Sequence, residues 1–231
     1  MIAIPEREGG QSTCIDSTEV TNAQYAAFVQ AVGTTPSGQN PACLWNSSYQ
    51  PASQDAAGGP CSYDPAAKAD YPVACVNWCD AVDYCKWAGK SLCSTTAAGS
   101  WYRACSSGGQ YAFPYGNTYQ PGKCVDYSDY DASQPVGTAA TCQSVDPAFA
   151  GVFDLLGNVA EWSANCAPDL HDSGTTECTV VGDGFTLAFA SSPTQPTECT
   201  GFNSDPNNPS YAVALISNTD PGLGIRCCAT P

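Results

Sequence analysis

The sequence predicts an α+β domain that is rich in loops and stapled by disulfides, and three observations support this prediction. Helix signals are few and lie in the first half of the chain. From about Gly108 onward, short β-like runs alternate with clusters of Gly, Pro, Asn and Asp. The 231 residues include 15 cysteines, so cross-links can hold a core that loops alone would build poorly. We find no repeat of fixed period and no domain boundary, and we predict a single domain over residues 1–231.

The first predicted helix covers Asn22–Val32. Thr21 is a suitable N-cap and Gly33 a suitable C-terminal stop, and the apolar residues between them recur at helical spacing. A Pro-, Gly- and Ser-rich stretch, Thr35–Tyr71, follows this helix. It carries two cysteines and several aromatic residues, which favour an ordered, stapled loop over a flexible linker.

A second helix is predicted over Trp78–Ala88. Asn77 can cap it, and Asp80 in its first turn suits the helix dipole. A short buried strand, Val73–Val76, is predicted ahead of it, and a third helix is predicted over Thr96–Cys105.

Charge excludes several classes of partner. Lys and Arg total 7 against 22 Asp and Glu, which gives a net charge of −15. A polyanion would be repelled, so nucleic-acid binding and anionic membrane surfaces are disfavoured. The longest apolar runs are far shorter than the roughly 18 residues that a membrane span needs, and no membrane span is predicted.

The cysteines indicate disulfides rather than metal clusters, because the chain has no CxxC pair and one histidine, His171. Disulfides place the protein in an oxidising compartment, extracellular, periplasmic or at the cell surface. The first residues lack the basic and apolar regions of a signal peptide, so we expect a mature or clipped form of a longer precursor. The odd number of cysteines leaves at least one thiol unpaired if all pairing is internal.

Four segments, in order, carry a family resemblance: Glu19–Tyr25, Pro72–Lys90, Leu156–Trp162 and Gly224–Cys227. Together they resemble the formylglycine-generating enzyme (sulfatase-modifying factor) family, from about residue 1 to 228. The resemblance implies that family's variant of the C-type-lectin-like fold.

The resemblance also implies a bridge between Cys105 and Cys227. Proximity in sequence adds four further pairs as hypotheses, although sequence alone does not fix connectivity. These pairs are Cys43–Cys61, Cys124–Cys142, Cys166–Cys178 and Cys14–Cys228.

The loop from Asp154 to Glu161 is a candidate calcium site. Ca²⁺ takes six to eight oxygen ligands, which two carboxylates and the carbonyls of a tight turn can supply. The resemblance assigns side-chain ligands to Asp154 and Glu161, and carbonyl ligands to Gly157 and Val159. The alternative is a turn whose acids are solvated or pair with an arginine, Arg103 or Arg226. The family's second calcium site is not carried over, although Asp126, Asp129 and Asp131 could form a different one.

The family's oxidase chemistry uses copper held by two cysteines, and those positions fall at about Leu187 and Ser192 here. A two-thiolate Cu(I) site needs soft sulfur donors, and no Cys occurs between Cys178 and Cys199. Copper is therefore not expected. A hydrolase triad built on His171 is disfavoured as well, because no Gly-x-Ser-x-Gly elbow exists.

Two functions remain open. The first is a secreted, non-catalytic, calcium-stabilised binding or assembly module, whose ligand is a protein, a glycan or another copy of the chain. Its variable surface would be the aromatic-rich loops Trp45–Tyr49, Tyr111–Tyr130 and Thr186–Tyr211. The alternative is a copper-dependent formylglycine-generating oxidase whose thiols have moved, for example to Cys199.

Overall fold

The computed structural model describes residues 1–5, 13–96, 99–127, 131–168, 176–186, 198–199 and 212–230. These residues include three α-helices, which are α1 (Asn22–Val32), α2 (Trp78–Trp87) and α3 (Ser100–Ser106), and one 3₁₀ turn at Pro41–Cys43. The strands are β1 (Ile2–Ile4), β2 (Thr13–Ile15), β3 (Ser91–Leu92), β4 (Ala160–Pro168), β5 (Thr176–Val181), β6 (Ala212–Leu215), β7 (Leu223–Gly224) and β8 (Cys227–Ala229). The predicted α+β class is confirmed.

The strands form two four-stranded sheets. The first has the order β1-β2-β8-β3, and all of its pairs are antiparallel. This sheet pairs β2, near the beginning of the described chain, with β8 at its end. The second has the order β6-β5-β4-β7, in which only β4 and β7 are parallel. That parallel pair sets Glu161 beside Gly224, which brings the end of the chain to the centre of the molecule.

The first two helices begin where the sequence predicts. Thr21 and Asn77 cap α1 and α2, and each forms a complete capping box with the residue three positions on. The N-cap side chain accepts a hydrogen bond from that residue's backbone N–H, and that residue's side chain accepts one from the backbone N–H of the cap. The helix α1 ends at Gly33, whose φ of 84° suits glycine.

Two local predictions were wrong. The third helix begins at Ser100 rather than Thr96, because Gly99 is extended and lies 2.6 Å from the Thr96 carbonyl in a turn. Val73–Val76 does not form a strand. Pro72 before it and Ala74 within it make isolated bridges, to Thr21 and to Gly224, and the φ of 58° at Cys75 ends the extended backbone.

Two clusters of buried side chains form the core. One is built around an aromatic group between α1 and α2, in which Tyr25 stacks on Tyr84 and Phe28 meets Tyr49 edge-on. The other lies between α3, the first sheet and the loops around Phe113 and Leu155. Of the helices that the structure describes, none is long and apolar enough to cross a membrane.

Seven disulfides cross-link the described residues and leave one cysteine, Cys14, as a thiol. Cys124–Cys142 and Cys166–Cys178 pair as the sequence analysis expected. The other pairs differ from the expected ones, and they are Cys43–Cys79, Cys61–Cys75, Cys85–Cys227, Cys93–Cys228 and Cys105–Cys199.

The expected Cys14–Cys228 bridge fails because of strand register. Cys14 lies opposite Ala229, and Cys228 lies opposite Ile15. Successive side chains of a strand point to opposite faces, so the two sulfurs lie on different faces of the first sheet. Cys228 bonds instead to Cys93, one residue beyond β3.

The other two wrong pairings reflect contacts between distant segments. Cys227 lies opposite Leu92 in the first sheet, and the strand β3 follows α2 closely, so Cys85 on α2 reaches it rather than Cys105. Cys105 bonds to Cys199, which a backbone bond to Ala112 holds near the end of α3. Cys43 and Cys61 likewise bond to partners in and just before α2 instead of to each other.

Candidate functional site

The loop from Asp154 to Glu161 is held by close backbone contacts. The Gly157 N–H donates to Gly182 and the Asn158 N–H to Val125, each at 2.6 Å. A Cβ at Gly157 would lie 2.3 Å from the Val125 carbonyl oxygen, and the φ of 82° there also favours glycine. The motif's glycine is therefore required by a close approach of two backbones.

Glu161 is fully engaged within the protein. Its side chain is 1% exposed. Trp101 Nε1 donates to one carboxylate oxygen at 2.8 Å, and Arg226 Nε donates to the other at 2.8 Å. The pKa of Glu161 is nevertheless raised, because burial outweighs the attraction of the guanidinium.

Arg226 organises several chain segments around Glu161. Its guanidinium donates to the Asp16 carbonyl at 3.0 Å and to the Phe153 and Asp154 carbonyls at 2.8 and 3.2 Å. Burial alone would lower its pKa, but nearby carboxylates led by Glu161 raise it. The cation at this point of the fold is thus an arginine of the chain itself, which is one of the two arginines named in the alternative above.

The carboxylate oxygens of Asp154 and Glu19 have fewer hydrogen-bond partners than those of Glu161. Asp154 Oδ2 accepts from the Gly137 N–H at 2.5 Å, whereas Oδ1 is buried and has no hydrogen-bond partner in the described part of the chain. Neither oxygen of the buried Glu19 has such a partner there, and the nearer one lies 3.9 Å from Arg226. Burial raises the pKa of both carboxyls, that of Glu19 strongly, because Asp154 adds a second negative charge nearby.

Of the four residues assigned to calcium, Glu161 is already engaged within the protein, since one carboxylate oxygen accepts from the indole and the other from the guanidinium. Asp154 Oδ1 remains the one side-chain acceptor of the set that lacks a donor. Among the residues that the structure describes, no group of three or more His, Cys, Asp or Glu side chains is placed to hold a metal ion. Calcium binding therefore stays a prediction, and no functional step is derived from it.

The other candidate residues do not converge on one site. Cys199, the proposed relocated thiol, is bonded to Cys105. Asp126 is buried and accepts a hydrogen bond from the Tyr119 hydroxyl at 3.0 Å. Leu187, Ser192, His171 and Asp129, with most of the loop Thr186–Tyr211, lie outside the described residues.

A second buried polar centre was not predicted. Asp80 accepts from Asn46 Nδ2 at 2.8 Å and from the Asn77 N–H at 3.2 Å. Burial raises the pKa of Asp80 to about 7, although both hydrogen bonds oppose the rise. The sequence analysis placed Asp80 in the first turn of α2, where it suits the helix dipole; only the contact with Asn46, 34 residues away, revealed the buried network.

The fold and the buried Arg226–Glu161 centre define the class of protein, a disulfide-stapled α+β fold of the formylglycine-generating-enzyme type. The family model described as "Sulfatase-modifying factor enzyme 1-like domain" matches residues 8–215. The chain belongs to this family.

Relatives whose names refer to formylglycine-generating enzymes match this chain over different lengths. The formylglycine-generating enzyme of Streptomyces coelicolor is 29% identical over 257 aligned residues, covering 92% of this chain and 76% of that protein. The mouse enzyme is 33% identical over 108 residues, covering 42% of this chain and 28% of that enzyme. A Bos taurus protein named inactive C-alpha-formylglycine-generating enzyme 2 is 35% identical over 109 residues, covering 42% of this chain and 34% of that protein.

Solved structures show the same fold at lower identity. PvdO from Pseudomonas aeruginosa superposes with a TM-score of 0.58 at 19% identity, covering 100% of this chain and 91% of that one. CarF superposes with a TM-score of 0.57 at 15% identity, covering 100% and 94%.

Proposed function

We propose that this chain is a non-catalytic member of its family, a cross-linked binding module exported to an oxidising compartment. One observation carries the proposal: of the 15 cysteines, 14 form disulfides and only Cys14 is a thiol. A two-thiolate copper site needs two sulfurs that can approach each other. The folded chain has one free sulfur, that of Cys14.

Reduction of a bridge would not reproduce the family's arrangement. The copper-binding cysteines implied by the resemblance lie five residues apart, whereas the shortest bridge here, Cys166–Cys178, joins residues 12 apart. The positions expected to hold the pair, Leu187 and Ser192, are not cysteines. A thiolate pair would have to be built from residues with other structural roles.

The buried centre also suits a scaffold rather than a reaction site. Arg226 and Glu161 have almost no exposed surface, so neither can meet a substrate without unfolding of the surrounding loops. Their hydrogen bonds tie four segments together, which is what a rigid platform for surface loops requires. Two relatives named as inactive, from Bos taurus and Mus musculus, give the family a precedent for such a role.

The cross-links support export. Seven disulfides in one domain form and persist in oxidising compartments and are rare where glutathione keeps thiols reduced. We therefore place the protein outside the cytosol, extracellular, periplasmic or at the cell surface.

Copper-dependent oxygen consumption tests the proposal. The purified chain, loaded with Cu(I), is supplied with a cysteine-containing sulfatase peptide, and the Streptomyces coelicolor enzyme serves as positive control. We expect no oxygen uptake above that of free copper and no stoichiometric Cu(I) retention. Copper-dependent turnover above that background would overturn the proposal and establish the oxidase alternative, and its loss in the Cys14→Ser variant would assign Cys14 to the copper site.

A further inference from the structure

A surface cleft of about 320 Å³ lies where α1 begins, between segments that are far apart in sequence. This volume is at the small end of the range for ligand pockets, about 300–1,000 Å³. The side chains that matter here are two aromatic rings, Tyr71 and Phe185, and the polar groups Asn22, Ser62, Lys68 and Asp131.

The walls of the cleft are pre-formed. Three prolines line it, Pro60, Pro72 and Pro221. The disulfide Cys61–Cys75 fixes the segment that carries Ser62 against the segment that carries Ala74. A ligand would therefore meet a shape that costs little ordering on binding.

The polar groups offer both donors and acceptors. The Lys68 ammonium lies 5.5 Å from the centre of the Tyr71 ring and donates to Ser62 Oγ at 3.1 Å, which leaves two of its three donors without a partner among the described residues. Asn22 is 2% exposed and its Nδ2 donates to the Lys68 carbonyl, while its Oδ1 has no donor within the described residues. Asp131 adds an exposed acceptor from another segment.

We propose that this cleft binds a neutral saccharide, a single ring or the end of a short chain; this inference rests on the proposed function and names its ligand class. A sugar ring presents C–H groups on its faces, which suit Tyr71 and Phe185, and hydroxyls around its edge. Each hydroxyl both donates and accepts, so one ligand can accept from Lys68 and donate to Asp131.

The charge of the cleft and of the chain favours a neutral ligand. Of the described residues that line the cleft, one is cationic and one anionic. The net charge of −15 over the whole chain repels anions, which disfavours acidic sugars and phosphates.

An extended peptide is the less suitable occupant. Peptides that add to a sheet need unpaired backbone groups at an open edge. Here Thr21 bridges Pro72, Ala74 bridges Gly224, and the Asn22 N–H donates to the Tyr71 carbonyl. The three prolines have no N–H to offer.

Saturation-transfer NMR and calorimetry with a defined panel test the proposal on the intact, oxidised chain without added copper. The panel contains glucose, galactose, mannose, xylose and N-acetylglucosamine with their disaccharides, together with glucuronic acid and a Pro-rich decapeptide. We expect at least one neutral sugar to bind. Phe185→Ala and Asp131→Asn should each weaken that binding about tenfold, a loss of about 1.4 kcal/mol.

Two matched variants outside the cleft serve as controls. Trp87→Ala removes an aromatic ring that is 43% exposed, and Asp70→Asn removes an exposed carboxylate; both should bind as the parent does. Three results would overturn the inference: no neutral sugar bound at about 10 mM, equal binding by Phe185→Ala and Asp131→Asn, or preference for the peptide or the acidic sugar. None of them depends on oxygen uptake, so failure here is separable from failure of the non-catalytic role.

Discussion

Arg226 Nε donates to Glu161 Oε1 at 2.8 Å in a site from which solvent is excluded. The parallel pairing of β4 and β7 places Glu161 beside Gly224, two residues before Arg226. The guanidinium therefore reaches the end of the loop Asp154–Glu161 from inside the chain, and it donates to the carbonyls of Phe153 and Asp154 as well. Arg226 is one of the two arginines that the sequence analysis named as a partner for the acids of this loop.

Replacement of the central arginine should be strongly destabilising. Arg226→Met removes the counter-charge and leaves Glu161 buried and unpaired, which costs about 3–5 kcal/mol. Urea unfolding of the oxidised chain measures the loss. The control is Lys90→Met, which breaks the partly exposed Lys90–Asp16 pair and should cost about 1 kcal/mol or less.

The same site permits a coupling measurement. Glu161→Gln combined with Arg226→Met removes both charges, so the double variant should lose less stability than the two single variants together. Strict additivity would show that the two side chains do not stabilise each other.

Asp80 should make stability depend on pH. Its pKa is about 7 in the fold, against 3.8 for an ordinary Asp, because it is buried. The stability it contributes is fully present below the unfolded pKa and is lost as pH rises through about 7. The difference corresponds to about 4 kcal/mol as an upper bound.

Asp80→Asn should therefore flatten the stability profile between about pH 4 and 7 and should be no less stable than the parent near pH 8. Denaturant unfolding at a series of pH values measures both effects. Asp70→Asn, at an exposed carboxylate, is the control. If the unfolding free energy of Asp80→Asn falls with pH as steeply as that of the parent, the raised pKa of Asp80 is contradicted.

Either of two disulfides should limit the loss of stability when the other is removed. Cys85–Cys227 and Cys93–Cys228 close loops of 142 and 135 residues onto adjacent positions of β8. Removal of one leaves a connection of about nine residues through the other, so the chain-entropy model gives a loss of roughly 3 kcal/mol. Removal of both leaves Cys105–Cys199 to close the shortest path between Cys93 and Cys228, about 41 residues (12 plus 29), so the total loss should be roughly 6–7 kcal/mol.

Paired Cys→Ala variants and urea unfolding measure this non-additivity. Removal of Cys166–Cys178, which closes a separate loop of 12 residues, provides the comparison, since its loss should add to that of either long bridge. Simple addition of the losses from the two long bridges would contradict the redundancy.

Calcium binding is tested most cleanly at Asp154. Its Oδ1 is a buried acceptor without a partner in the described residues, so a cation there would bind through it. If Ca²⁺ raises the melting temperature over that in EDTA, Asp154→Asn should abolish the rise. Glu161→Gln is a poor test, because it also breaks the pair with Arg226. A full calcium response in Asp154→Asn would contradict the predicted site.

Local signals predicted the starts of two helices and two bridges between cysteines close in sequence, and they failed for the bridges between distant segments. Thr21 and Asn77 fix helix starts because a capping box involves residues three apart. Cys85 and Cys227 are 142 residues apart, and no local signal relates them. Ile15 and Cys14 show the limit clearly: adjacent in sequence, they differ in fate because register sends one toward Cys228 and the other to the opposite face.

The sequence by itself determined the acidic charge, the abundance of cysteine and the starts of the first two helices, since these depend on composition or on residues close together in the chain, and the resemblance of four short segments indicated the fold family. Only the tertiary structure decided that Glu161 pairs with Arg226, that Cys14 stays a thiol, and that Tyr71 and Phe185 line one cleft. These outcomes depend on distances between segments that the chain brings together only when its two sheets have formed.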